Sequence, residues 1–168
     1  MSKRQICILC ILAVLIVAAV IAAVCINAGR EPERIVGEFT PPSFAQNAVA
    51  GAPDPGVVNN LPYGTLALSE EISVSMVSTL TVGENGEVEV WFTAPDSNQG
   101  WVLLRLMDEQ GNLLGESGLL KPGQYVQVLT LNSVPRKSGM ILARILTYEP
   151  GTYYSMGSAS AQVMLNVP

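Results

Sequence analysis

Hydrophobic and polar residues are arranged in three different ways along the chain. Residues 6–26 form an unbroken apolar run, ICILCILAVLIVAAVIAAVCI, without a charged or strongly polar side chain. Residues 28–65 show no sustained period and are rich in proline and glycine. From Leu66 onward, apolar and polar residues alternate with a period of two. The pattern therefore predicts an apolar helix, a linker and a β-sheet domain.

The apolar run is long enough to cross a membrane as one helix. At ~1.5 Å per residue, its 21 residues would extend about 31 Å, close to the thickness of a bilayer's hydrocarbon core. Lys3 and Arg4 precede the run without an acidic neighbour, whereas the arginines that follow it are offset by nearby glutamates. The positive-inside rule then predicts a cytoplasmic tip at residues 1–5, a transmembrane signal-anchor at residues 6–27, and an extracytoplasmic chain beyond them.

Two alternatives to an uncleaved anchor remain open. Residues 26–28 could satisfy a small-residue cleavage rule, with Ala28 as the last residue removed. Residues 22–25 resemble a lipobox that would lipidate Cys25, although Val24 stands where a smaller residue is expected. The apolar core of a secretory signal usually runs about 7–15 residues. The greater length of the run here favours a retained anchor.

The segment at residues 28–65 is predicted to be a Pro/Gly-rich extracytoplasmic linker. It carries six prolines together with glycines and asparagines, and such a composition buries too little apolar surface to fold alone. Its scattered apolar side chains leave a second arrangement open, in which the linker docks on the domain that follows.

Residues 66–168 predict a β-sandwich domain. An alternating strand at 72–82, the Asn85-Gly86 turn and a return strand at 87–93 together predict a hairpin. Seven or eight short strands separated by frequent turn signals are typical of an all-β, immunoglobulin/fibronectin-III-like antiparallel sandwich. The remaining strands are predicted at 101–107, around 113–114, and at 125–131, 140–148 and 159–167.

The composition lacks the residues that most enzymes and metal sites use. The chain has no histidine, and all three of its cysteines lie in the apolar run. Lys121 and Lys137 stand in turn-rich stretches, where a lysine stays protonated. The adjacent carboxylates Glu70 and Glu71 would point to opposite faces of a strand. We therefore predict no enzyme activity, no catalytic residue, no cofactor and no metal.

Charge and loop composition argue against two further kinds of ligand, nucleic acid and a calcium ion. Seven basic and fourteen acidic residues follow the apolar run, which argues against nucleic acid as a partner because its recognition requires clustered lysine and arginine. The oxygen-rich loops at 96–98 and 108–112 lack EF-hand spacing and are typical of ordinary turns.

Binding fits this composition better than catalysis. Trp91 is predicted on the strand face opposite Val90 and Phe92, and Tyr153 and Tyr154 precede the last strand. Exposed aromatic rings on a sandwich can anchor a protein partner or stack on sugar rings. Trp91 and the two tyrosines are therefore the candidate partner-binding residues. The sequence leaves open that Trp91 instead packs in the second sheet layer or under the linker.

Three segments of the chain resemble a known group of proteins. They are FTPPSFAQNAVAGAPDPG at 39–56, VEVWFTAP at 88–95, and a glycine-rich pattern ending in Lys-Pro-Gly-Gln-Tyr at 111–125. In these segments the chain resembles uncharacterised single-pass, membrane-anchored exported β-sandwich proteins of gut Gram-positive bacteria. The resemblance covers the linker and most of the domain. It implies a bacterial envelope setting and supplies no functional residues.

Together these observations predict a single-pass protein of the cell membrane that contacts the lipid bilayer through residues 6–27. Its predicted function is a membrane-anchored extracytoplasmic protein-interaction or structural module of the cell envelope, with another envelope or surface protein as the partner. The alternative is a carbohydrate-binding module for cell-wall glycan. The first hypothesis predicts an exposed edge strand or apolar patch. The second predicts a coplanar row of exposed aromatic rings that includes Trp91.

Overall fold

The computed structural model describes residues 39–168, which form an all-β, sandwich-like domain of two five-stranded sheets. The predicted transmembrane segment lies outside the described residues. Within residues 39–168, no helix is both long and apolar enough to cross a membrane. The elements in chain order are β1 (Val49–Ala50), a short helix α1 (Pro55–Asn59), β2 (Tyr63–Ala67), β3 (Ser73–Val77), β4 (Thr79–Thr81), β5 (Glu87–Ala94), β6 (Trp101–Met107), β7 (Leu113–Leu120), β8 (Gln124–Thr130), β9 (Gly139–Tyr148) and β10 (Ser155–Asn166).

The two sheets enclose one hydrophobic core. The first sheet has the strand order β1-β8-β5-β3-β2 and the second has the order β4-β10-β9-β6-β7. The core contains buried side chains from both sheets, among them Phe92 and Val126 of the first and Leu104, Ile145 and Leu165 of the second. Burying one such side chain stabilises the fold by roughly 1.5–3 kcal/mol. The predicted all-β sandwich is confirmed at this level, and residues 39–168 contain ten strands rather than seven or eight.

The strand predicted at 72–82 is two strands that belong to different sheets. Its first half, β3, pairs with β5 in the first sheet, whereas β4 pairs with β10 in the second. Ser78 lies at the crossing: its N–H donates to the Pro62 carbonyl at 2.9 Å, and its carbonyl accepts from the Met164 N–H at 3.0 Å. The predicted turn at Asn85-Gly86 is present: the Gly86 N–H donates to the Gly83 carbonyl at 3.0 Å, and the Gly83 N–H donates to the Glu87 carbonyl at 2.7 Å. The predicted hairpin does not extend along the two strands, because β4 and β5 belong to different sheets. Between β4 and β5 only a single bridge forms next to that turn.

The second half of the predicted linker lies against the sandwich. The Leu119 N–H donates to the Ser43 carbonyl at 2.9 Å, and the Ala45 N–H donates to the Leu119 carbonyl at 3.0 Å. Further along, β1 pairs with β8 at the edge of the first sheet. Residues from Pro41 onward belong to one compact unit. For this part of the linker, the structure shows the docked arrangement that the sequence leaves open.

Candidate functional site

The longest strand, β10, has one edge that is unpaired over most of its length. On one side it pairs with β9 from Ser155 to Leu165. On the other side β4 covers only Met164–Asn166, three of the twelve residues, because the chain reaches the second sheet only after Ser78. Within the described part of the chain, no strand pairs with the remaining nine residues on that side. We call this unpaired side of residues 155–163 the β10 edge.

The position of Met164 shows which backbone groups point to the β10 edge. Its N–H donates to Ser78 on the β4 side of the strand. The backbone groups of successive residues in a strand point to opposite edges, and the register with β9 is regular from Gly157 to Leu165. Ser158, Ser160 and Gln162 therefore direct both N–H and C=O toward the β10 edge, where no strand within residues 39–168 pairs with them.

The β10 edge carries little of the protection that natural edges usually have. Exposed edges are commonly blocked by lysine, proline, a bulge or a covering element. Residues 155–163 read SMGSASAQV, without charge or proline, in a chain of which 14% is charged. The one irregularity lies at the start of the strand, between Ser155 and Gly157. Such an edge is a ready template for strand pairing.

A groove of about 370 Å³ lies beside the β10 edge, between the two sheets. Ala161 is half-buried and shares the inward strand face with the buried Val163, and its small side chain leaves this part of the interior open. No charged side chain lines the groove. Its lining residues include Tyr63, Gly64, Leu66 and Met76 from β2 and β3, and Ala161 and Val163 from β10.

Trp91, the first candidate binding residue, does not lie on a free outer face. Two residues of β5, Val90 and Trp91, stand opposite the single residue Gln127 of β8, which makes a β-bulge. Trp91 has a backbone φ of 46°, is half-buried, and packs against the core. Its ring stacks on Tyr125, a residue that also pairs with Val49 of the docked segment. Trp91 therefore packs within the first sheet, against the strand to which the linker is paired.

The two tyrosines lie near the second sheet, apart from Trp91. Tyr153 is half-buried and packs edge-to-face on Trp101, with ring centroids 5.2 Å apart. Trp101 packs in turn on Phe44 at 4.8 Å and is half-buried outside the core, although its leucine-rich strand predicts a core position. Tyr154 is 72% exposed. The structure thus does not bring the three candidate residues together into one surface.

Side chains of the oxygen-rich loops form hydrogen bonds that hold the local backbone. The Asn112 side-chain amide and the Asn112 backbone N–H both donate to the Asp108 carboxylate, at 2.8 and 2.7 Å, and hold the pKa of Asp108 below its usual range. The buried Asn98 amide bonds the backbone N–H and C=O of Ser73. Among residues 39–168, no group of three or more cysteine, aspartate or glutamate side chains is arranged to hold a metal ion.

Comparisons with known proteins assign no family. No protein-family model matches the chain, and no curated protein sequence matches it. What the structure defines is therefore a class: an all-β, sandwich-like protein with an open strand edge and an adjoining uncharged groove. Sequence reasoning did not identify this site. The sequence feature that could have indicated it is the run of uncharged, mostly small residues at 155–163, which begins before the last predicted strand and overlaps it.

Proposed function

We propose that this chain is a membrane-anchored extracytoplasmic protein-interaction module of the cell envelope, and that its contact surface is the β10 edge. The observation that carries the proposal is the unpaired, uncharged edge at residues 155–163. Open strand edges bind extended segments of other proteins through main-chain hydrogen bonds. Because these bonds use the backbone groups of Ser158, Ser160 and Gln162, the surface needs no conspicuous side chain to recognise a partner.

The anchor and the finer fold type are part of this proposal. The anchor is supported by the apolar run at residues 6–26 and by the basic residues that precede it. An immunoglobulin/fibronectin-III-like sandwich is supported by two largely antiparallel sheets over one core, and by the crossing between sheets at Ser78. The bacterial envelope setting is supported by the resemblance in the three sequence segments named above.

The aromatic side chains favour a protein partner over a glycan. A glycan-binding face would present a coplanar row of exposed rings. Trp91 and Tyr153 are both half-buried against other rings, and of the three candidate residues only Tyr154 is largely exposed. A backbone edge, in contrast, presents N–H and C=O groups at the spacing of another protein strand.

The test is a crosslinking pull-down of the full-length protein from its native membrane, with Ser160→Pro and Ser160→Ala in parallel. Proline removes the N–H that points to the β10 edge, and it leaves the hydrogen bonds to β9 in place. We expect one dominant protein partner with the wild type and Ser160→Ala, and a strong reduction with Ser160→Pro. Equal recovery with both variants would exclude the β10 edge as the contact surface. Sedimentation with purified wall glycan, without a protein partner, would favour the carbohydrate alternative.

The orientation in the membrane has a separate test, because the three native cysteines all lie in the apolar run. We expect Ser133→Cys, at an exposed position of the domain, to react in intact cells with a maleimide that does not cross membranes. Ser2→Cys, in the predicted cytoplasmic tip, is expected to react only after permeabilisation. The reverse labelling pattern would overturn the proposed orientation.

A further inference from the structure

We infer that the β10 edge accepts a strand donated by a partner protein, and that apolar side chains at alternate positions of this strand fill the groove between β2 and β10. The inference rests on the proposed function and adds the chemistry of the partner segment. That segment is extended, about five or six residues long as strands usually are, uncharged where it faces the groove, and apolar at every second residue.

The backbone of β10 offers hydrogen-bonding groups to a donated strand. Ser158, Ser160 and Gln162 each direct an N–H and a C=O to the open side, in line with the bonds that Met164 makes to Ser78. A strand laid along residues 155–163 would continue the ladder that β4 begins at Met164. The vacant position exists because the chain preceding β4 runs in the other sheet, as β3.

The groove beside β10 offers space for the side chains of a donated strand. Residues paired across two strands point to the same face of a sheet. Donated residues opposite Ala159 and Ala161 would therefore point inward, toward Leu66 and Met76 on the other side of the groove. The volume of about 370 Å³ lies in the range of pockets that bind ligands. Apolar side chains placed there would be removed from water on both sides.

The absence of charge on the β10 edge and in the groove determines which partner strands can bind. The β10 edge and the lining of the groove contain no charged side chain. A charged residue of the partner would lose its hydration there without gaining a counter-ion, which is strongly unfavourable. A second copy of this chain, pairing through the same edge, would present Gly157, Ala159 and Ala161 on the inward face, together with Val163, which is already buried in the core of its own copy. The first three residues are too small to fill the groove, so the occupant is a different protein.

The experiment uses the full-length chain in detergent and a seven-residue synthetic peptide of alternating threonine and valine as the probe. A peptide of the same sequence with N-methylated backbone amides, which cannot donate to a strand, is the control. Binding is measured by fluorescence anisotropy, and protection of residues 155–163 by hydrogen exchange. Two variants fill the groove from opposite walls: Ala161→Leu, and Gly64→Leu, where an added Cβ meets nothing within 4 Å. Gly139→Leu is the matched control, because an added Cβ there likewise meets nothing within 4 Å and Gly139 lies outside both the groove and the β10 edge.

We expect the alternating peptide, and not the N-methylated one, to slow exchange in residues 155–163. Both groove-filling variants should weaken its binding by about tenfold or more, while Gly139→Leu should leave it within about twofold. Thermal unfolding checks that each variant is folded. Because Ala161 and Gly64 lie on opposite walls of the groove, the two variants test the groove independently.

Other outcomes overturn the inference in distinguishable ways. Peptide protection that neither groove-filling variant weakens would show that the edge pairs without the groove, and the proposed function would stand on its pull-down. A chain that dimerises in detergent, with residues 155–163 protected in the absence of peptide, would make a second copy the occupant. An unprotected edge in a monomeric chain would exclude a donated strand of this chemistry.

Discussion

Trp91 stacks on Tyr125, with ring centroids 6.0 Å apart and ring planes inclined by 13°. The two residues belong to the neighbouring strands β5 and β8, and Tyr125 also pairs with Val49 of the docked N-terminal segment. The Trp91 indole Nε1 is buried and has no hydrogen-bond partner among the described residues. Trp91 therefore packs on the strand to which the docked segment is paired, and its contribution to the fold comes from its ring rather than from its N–H.

This relationship predicts different effects for two substitutions of Trp91. Trp91→Ala removes the stacking and the contact with the core, and we expect it to lower the free energy of unfolding by about 2–3 kcal/mol. Trp91→Phe keeps an aromatic ring and removes an N–H that has no partner, so it should change stability by less than about 1 kcal/mol. Urea denaturation of the purified full-length chain measures both. Equal destabilisation by alanine and phenylalanine would show that the stacking contributes nothing.

The strands whose pattern is local could be predicted from the sequence. The strand β6 occupies Trp101–Met107 as predicted, and β5 extends only one residue beyond its predicted end. The predicted inward residues Val88, Val90 and Phe92 are all buried. In each case a run of mostly apolar residues marks the strand, although burial does not alternate throughout: Phe92–Ala94 in β5 and Val102–Leu104 in β6 are buried at three successive positions.

The features that form the candidate site depend on neighbours far along the chain. The alternation at 72–82 is interrupted at Val77-Ser78 but resumes in the same phase, so the interruption alone does not show that the chain changes sheets there. Alternation alone predicts that the Trp91 side chain points outward, whereas at the bulge in β5 this side chain is half-buried against the core. The openness of the β10 edge depends on how far β4 extends beside it. Strand order and pairing length are properties of the assembled sheets, and a hydrophobic pattern does not contain them.

The docking of the N-terminal segment predicts a specific role for Gly118. This residue has a φ of 75°, and a Cβ there would lie 2.8 Å from the Ala45 nitrogen. Gly118→Ala should therefore displace the segment at residues 43–45 in addition to the roughly 1–2 kcal/mol conformational cost of a positive φ. Gly111 is the matched control, because it has a φ of 85° and an added Cβ meets nothing within 4 Å.

We expect Gly118→Ala to lower the free energy of unfolding by at least about 1 kcal/mol more than Gly111→Ala. It should also accelerate hydrogen exchange at the amides of Ala45 and Leu119, which the docked backbone bonds protect. Similar losses of stability in the two variants, with unchanged exchange, would mean that the contact between residues 43–45 and β7 is not maintained in solution.

The buried Asn98 predicts a second stability effect. Its side-chain oxygen accepts from the Ser73 N–H at 2.9 Å, and its amide nitrogen donates to the Ser73 carbonyl at 2.8 Å. Asn98→Ala leaves both backbone groups without these partners and should cost about 2 kcal/mol. The exposed neighbouring substitution Ser97→Ala should change stability by less than about 0.5 kcal/mol. Denaturation midpoints distinguish the two, and a neutral Asn98→Ala would contradict the structural role assigned to this loop.

The turn that follows β6 predicts a pH-dependent contribution from Asp108. Hydrogen bonds from the Asn112 side-chain amide, and next from the Asn112 backbone N–H, lower the pKa of this carboxyl below its ordinary value of 3.8, and partial desolvation opposes them. The carboxylate form is thus favoured in the folded state. The stabilisation is present above the unfolded pKa and is lost as the pH falls through the folded pKa.

Removing the main donor, the Asn112 side-chain amide, should therefore change how the free energy of unfolding depends on pH under acidic conditions. Asn112→Ala is expected to move the Asp108 pKa back toward its ordinary value, which a carboxyl carbon titration by NMR would detect. The difference in unfolding free energy between the wild type and Asp108→Asn should shrink on going from about pH 5 to below about pH 3. An Asp108 pKa that is the same with and without the Asn112 amide would show that the turn does not hold the carboxylate in solution. A constant difference between wild type and Asp108→Asn across this range would show that the ionisation of Asp108 is not linked to folding.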